Sequence, residues 1–345
     1  MAPIKLDSLN DGPTGARKDP LSQQESTIQN FGVFRQLVPV AARSIGHDPE
    51  SSLWKVINRP LSYFMNEIVQ LGTLPRSKLP TAIYDKASSY FEALAELHIS
   101  HLISQRNDAI DSREDCQRKF FARFLFRKIM RDRRQEFILH ENGPFPLWCD
   151  DFRPENVLVN EDENIVGVID WEFTYTAPVE FAYSPPWWLL IEKPEYWSEG
   201  IEDWCKNYSQ CLEVFLQPVP TPRVIIGECE DEAIQSGHIT ESQRLSGPMR
   251  GSWESGNFWI VYAARNNFAF DWIYWMKIDQ RAFGPTSSDP SDAWKERLDI
   301  LAAEEKEHLD ECVKLKLKEM ETRDHLTWDP DDYTREYLQT WPLNG

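Results

Sequence analysis

Basic charge is what this chain has least of. Its 37 Lys and Arg are set against 56 Asp and Glu, giving a net charge of −19 and a pI of about 4.8. A nucleic-acid binder needs a basic footprint that releases phosphate counterions, and none stands out, so no nucleic-acid partner is expected. Long apolar runs are missing too. No stretch reaches eighteen residues, so no membrane span and no membrane partner are expected. The opening MAPIKLDSLNDGPTGARKDPLSQQEST has no apolar signal core, and a cytoplasmic location follows as the expectation. The six cysteines, at 116, 149, 205, 211, 229 and 312, form no CxxC pair. That argues against a zinc ribbon and for free thiols in a reducing compartment. No G-x-G-x-x-G occurs. The glycines before residue 81 (Gly12, Gly15, Gly32, Gly46, Gly72) are far apart or in polar sequence.

What is present is globular material: 41% hydrophobic residues, with 14 Trp and 18 Phe in 345 residues, enough for a large core and two lobes. The acidity suits a solvated surface, with a cationic substrate as the sharper reading. Residues 1–28 read as a polar, disordered tail, and 29–80 show no sustained period. From 83 the pattern changes. IYDKASSYFEALAELHISHLIS (83–104) places Tyr90, Phe91, Leu94, Leu97, Ile99 and Leu102 at helical spacing. A second helix is expected over 115–131, with Asp115 as its N-cap. A third is expected over 195–217, ended by Pro218. One long helix is expected over 252–279, apolar nearly all round and so buried. A charged, solvent-facing helix is expected over 291–322. His98 and His101 lie among apolar residues and read as core or helix-face histidines rather than ligands.

One β insertion interrupts this helical series. In WCDDFRPENVLVNEDENIVGVIDWEF (148–173) two apolar runs, 157–160 and 165–169, read as a hairpin. Its ends bring the segment before Val157 and the segment after Ile169 to one place. Asp150, Asp151 and Asn156 stand before it and Asp170 after it. Phosphoryl transfer needs this kind of set: a carboxylate that takes the proton of the attacking hydroxyl, and oxygen ligands for the magnesium ions that neutralise the phosphates. Protein kinases supply it as D-x-x-x-x-N followed by an Asp at a strand end, and Asp151, Asn156 and Asp170 have that order and spacing. The bland alternative is an Asx-rich loop serving only as turn chemistry.

The run WCDDFRPENVLVN…VIDWEF resembles the catalytic loop and metal-binding Asp of the aminoglycoside phosphotransferase and choline kinase group. The likeness extends, through EALAELHISHLISQRNDAI, VEFAYSPPWWLL and GSWESGNFWIVYAARNNFAFDWIYW, to a fungal branch of it. It spans roughly residues 81–285. It implies an α+β, protein kinase-like fold with a largely helical C-lobe and a catalytic β-hairpin. The activity it implies is ATP- and Mg²⁺-dependent transfer to a hydroxyl of a small, possibly cationic, molecule. Residue by residue, Asp151 matches the catalytic base, and Asn156 and Asp170 match magnesium ligands. Cys149 stands where the group usually has a loop-supporting His; a nucleophilic Cys149 is the rival reading. Asp150 is a candidate for contact with a cationic substrate, or for a solvated or a loop-capping acid. Arg153 either holds the loop by an ion pair or contacts phosphate. Glu172 either faces the substrate or sits in a structural salt bridge.

The same resemblance implies an N-lobe sheet with a phosphate-covering loop and a strand lysine. Residues 38–52 are similar to the turn near the end of that lobe, and Lys55 falls too late to be its lysine. The expected organisation is a tail (1–28), a remnant of the N-lobe and hinge (29–80) and a C-lobe (81–345). Weak turnover and an inactive, pseudokinase-like binding module both stay open. An apolar surface left bare near Phe145, Trp148 and the hairpin start is expected to promote self-association.

Overall fold

The computed structural model describes residues 62–105, 109–161, 165–216, 226–289 and 292–322. The expected tail, most of the N-lobe remnant, Lys55 and Pro218 lie outside them. The described chain is mixed α+β and mostly helical. Among the described residues no helix is long and apolar enough to cross a membrane.

Helix α1 (Tyr63–Gln70) starts at Ser62, whose hydroxyl accepts the Met65 amide at 3.2 Å. It buries Phe64, Met65 and Ile68, and Met65 and Ile68 belong to the same hydrophobic core as the helices that follow. Helix α2 (Ala87–Ser104) buries all six residues of the apolar stripe. It begins four residues later than its periodicity suggests. The Ala87 amide is satisfied by the Glu141 carbonyl at 2.8 Å, and Ser88 donates to the Glu141 carboxylate at 2.5 Å, so the first turn is fixed from outside. Helix α3 (Arg113–Asp132) also differs at its start. Ser112 is the N-cap, accepting the Asp115 amide at 3.1 Å, and Asp115 instead accepts the Asp111 amide. A hydroxyl three residues ahead of a carboxylate outcompetes that carboxylate for the cap position.

Four short strands follow: β1 (Leu147–Cys149), β2 (Val157–Val159), β3 (Ile165–Val168) and β4 (Thr174–Thr176). They form two antiparallel pairs. β1 pairs with β4, aligning Trp148 with Tyr175, and β2 pairs with β3, aligning Val157 with Val168. The hairpin is irregular between Leu158 and Val159, where the register shifts. Such a bulge bends a strand and strengthens its twist.

Helix α4 (Val179–Tyr183) leads to α5 (Ile201–Leu216), which starts after Gly200 rather than at 195; residues 194–196 form a separate 3-10 turn. Helix α6 (Ile226–Gln235) follows. The long helix expected over 252–279 is several. α7 (Ser246–Ser255) ends at Gly256, held at φ 77°, a left-handed conformation that favours glycine. α8 (Asn257–Arg265) ends at Asn266, whose side-chain oxygen accepts the Ala269 amide at 3.1 Å and starts a new turn. Asn side chains offer the backbone this alternative to helix continuation. α9 (Phe270–Ile273), a π-helical turn (274–278) and α10 (Asp279–Phe283) complete the run. Its burial is as expected, with Phe258 to Ala264 all in the core. A 3-10 turn (Ala293–Arg297) precedes α11 (Ala303–Thr322), mostly exposed and packed on α3 through Leu309, Cys312 and Val313.

Candidate phosphoryl-transfer site

The β1–β4 pair and the β2–β3 hairpin frame the loop 150–156. The Asp150 amide donates to the Phe173 carbonyl at 3.2 Å, fixing the loop's entry on the strand after the hairpin. A 3-10 turn, Pro154–Asn156, ends it, with proline at the first position, where its fixed φ costs nothing. The Ile169 amide donates to the Asn156 carbonyl at 2.9 Å, so the far end of the hairpin is tied to the loop's last residue. Trp188 caps the loop's middle by donating to the Phe152 carbonyl at 2.8 Å.

Asp151 and Asn156 meet directly. Asn156 is buried, and its Nδ2 donates to Asp151 Oδ2 at 2.8 Å and to the Asp151 carbonyl at 2.7 Å. The other carboxylate oxygen, Oδ1, lies 3.0 Å from Arg153 Nε, at ion-pair distance without the linear geometry of a hydrogen bond. Arg153 is thus placed on Asp151. Asp170, two residues past β3 and just before a 3-10 turn (Trp171–Phe173), sits in the left-handed region (φ 59°, ψ 51°), which Asp visits more readily than most residues. Its carbonyl lies 3.8 Å from Cys149 Sγ, and its side chain is exposed. Burial pushes the Cys149 thiol up from its usual value, which opposes the thiolate that a nucleophile needs. Glu172 is exposed, with no ion pair to any described residue.

Asp150 is not the solvated acid among the expectations for it. Its side chain is 0% exposed. Oδ1 accepts Trp148 Nε1 at 2.7 Å and Arg265 NH1 at 3.1 Å; Oδ2 accepts the Tyr175 hydroxyl at 3.1 Å and the Tyr63 backbone amide at 3.2 Å. A buried carboxylate is tolerable only when paired and hydrogen-bonded in this way. Arg265, from the end of α8, also lies over the rings of Trp148 and Phe181 at 5.0 Å each. One carboxylate therefore ties α1, β1, β4 and α8 together directly beneath Asp151.

Compared with protein families, curated proteins and solved structures, this chain matches none. What the site can do rests on its own residues. Among the described residues no group of three or more His, Cys, Asp or Glu could hold a metal ion. Mg²⁺ asks for less, taking one or two carboxylates and completing its shell with phosphate and water oxygens. Asn156, oriented through its Nδ2, and the exposed Asp170 carboxylate are oxygen donors of that kind.

Sequence reasoning missed Tyr63, Tyr175 and Arg265 as partners of Asp150. Only Arg265 had a signal, as a full charge closing the apolar run FWIVYAAR. Phe145 and Trp148, near which the apolar surface is expected to be partly bare, are partly buried and pack against the core. Among the exposed apolar side chains, Leu147, Leu158, Val159, Val166, Ile169 and Trp171 lie along the hairpin and its flanks.

Proposed function

We propose that this chain is an ATP- and Mg²⁺-dependent small-molecule O-phosphotransferase of protein kinase-like fold, acting in the cytoplasm. The observation that carries the reading is the bond between Asn156 Nδ2 and Asp151 Oδ2 at 2.8 Å, on a loop to which the hairpin ties the residue preceding Asp170. Asp151 takes the proton of the acceptor hydroxyl. The hydroxyl oxygen then bonds to the γ-phosphorus as the bond to the β-phosphate oxygen breaks and ADP leaves. Asn156 and Asp170 would hold Mg²⁺, which supplies charge neutralisation at the phosphates when bound. Arg153 and Asn156 restrain the two Asp151 oxygens, so the base is aimed before substrate arrives.

A binding module without turnover is the second reading. The observation favouring it is that both Asp151 oxygens are already engaged, by Asn156 and Arg153. Thermal denaturation with and without Mg·ATP bears on both readings, because a ligand of the folded state raises the melting temperature by mass action. The enzyme reading expects a Mg²⁺-dependent rise and ATP-dependent phosphorylation of a hydroxyl acceptor, abolished in Asp151→Asn. Unchanged melting at millimolar Mg·ATP would refute it.

A further inference from the structure

Beside the Asp151 loop lies a seat for a cation that the chain fills itself. The Lys193 ammonium stands 5.9 Å from the ring centre of Tyr63, 5.4 Å from that of Phe64 and 5.6 Å from that of Trp187. Three aromatic faces around one ammonium form the arrangement that recognises alkylammonium ligands. The seat adjoins the site. The Tyr63 ring meets Phe173 edge-on at 5.5 Å, and Phe173 supplies the carbonyl that fixes the loop at Asp150. The Tyr63 hydroxyl also feels both Asp151 and Arg153. Two acids lie within electrostatic reach of one another here. Glu67 interacts with Lys193 and Glu195, and Glu195 is held by the Tyr262 hydroxyl at 2.6 Å and by Asn266 at 2.9 Å.

We propose that Lys193 is a specificity-determining residue whose ammonium occupies the aromatic seat of Tyr63, Phe64 and Trp187, so that this seat beside the Asp151 loop refuses free alkylammonium ligands, cationic hydroxyl acceptors among them. A second cation in the seat would meet the first at close range in a partly buried site, where like charges repel strongly. A tethered ammonium also outcompetes a free one, because its local concentration is set by the chain. The cationic acceptor suggested by the acidic composition is thereby disfavoured by one lysine. The inference rests on the proposed function only for calling this ligand an acceptor; occupancy of the seat is measured without turnover.

The test uses the whole chain and tetramethylammonium as probe, with binding read from the upfield ring-current shift of its methyl proton signal. The wild-type protein should leave the signal unshifted to tens of millimolar. Lys193→Ala, and Lys193→Gln, which keeps part of the stem and removes the charge, should each bind saturably, at least tenfold tighter than wild type. Adding Trp187→Ala to Lys193→Ala should remove that binding. Equal binding by wild type and Lys193→Ala, or no binding by either folded Lys193 variant, would overturn the proposal. Loss of folding in both variants would overturn it as well, by making Lys193 a structural residue. If tetramethylammonium binds as expected while Mg·ATP leaves melting unchanged, the seat stands and the phosphotransferase reading falls.

Discussion

Asp150→Ala removes a buried carboxylate from beneath the loop and leaves four donors facing the space. The most expensive is Arg265, whose side chain is 11% exposed. Removing one partner of a buried ion pair costs about 3–5 kcal/mol, because the remaining charge stays desolvated. The Trp148 indole, the Tyr175 hydroxyl and the Tyr63 amide also lose their acceptor. Each orphaned donor costs about 1–3 kcal/mol unless water reaches it, and these costs are not additive with the charge term. A loss of at least about 3 kcal/mol in unfolding free energy is therefore expected, from urea denaturation followed by tryptophan fluorescence. The companion Arg265→Ala leaves Asp150 with three neutral donors, so it should cost less than Asp150→Ala. The double variant should cost clearly less than the sum, with a coupling of about 2 kcal/mol or more, since neither charge is then left alone. A cost below about 1 kcal/mol for Asp150→Ala, or a double-mutant cycle without coupling, would refute the view that this pair holds the site together.

Three further outcomes can be checked. Asp170→Asn should abolish phosphoryl transfer while leaving the urea midpoint within error, since its exposed carboxylate accepts no hydrogen bond from a described residue; retained turnover would remove Asp170 from the site. Acid should destabilise the fold through α2. Burial, then Arg123, holds His98 well below the usual range, and burial, Arg123 and Lys316 hold His101 at about 3. Both are neutral when folded and protonate below about 6.5 when unfolded, so stability is full above that pH. It should fall by about 1.4 kcal/mol per pH unit per imidazole as pH drops toward 3; a His101→Gln protein with the wild-type pH slope would contradict this. Sedimentation velocity at rising concentration should show self-association, weakened by Val166→Lys on the hairpin, where Val166 is 64% exposed; a monomer throughout would show that the hairpin surface is not sticky.

Periodicity made the helices legible and left their ends obscure. The stripe from Tyr90 to Leu102 is a local pattern, and α2 buries it as read. Its start depends on Glu141, and nothing near residue 87 announces that partner. Gly256 and Asn266 are local signals that an apolar run of aromatics hides, because propensity over such a window outweighs a single breaker until the backbone is seen. The hairpin was legible from its two apolar runs, and the D-x-x-x-x-N spacing from residue order alone. The role of Asp150 was not. Beside Asp151 in the sequence, it looks like a second functional acid, yet three of its four side-chain hydrogen bonds come from residues 87, 25 and 115 positions away. Burial of a charge is a property of those distant residues and not of its neighbours.

The separations that hide Asp150 in the sequence also set when its contacts form. Joining Tyr63 to Asp150 closes a loop of 87 residues and joining Arg265 to it closes one of 115, whereas the contacts within α2 and α3 are local. Long loops cost more entropy to close, and structures dominated by such contacts form slowly. The Asp150 carboxylate is therefore expected to find these partners late in folding, after the local contacts of α2 and α3 have formed. By the same reasoning, the bonds at Asp150 are expected to open on warming before the local contacts within α2 and α3 do, with most helical signal retained. The backbone amide of Tyr63, exchanging with solvent hydrogen ahead of those in α3, is the reporter of that order.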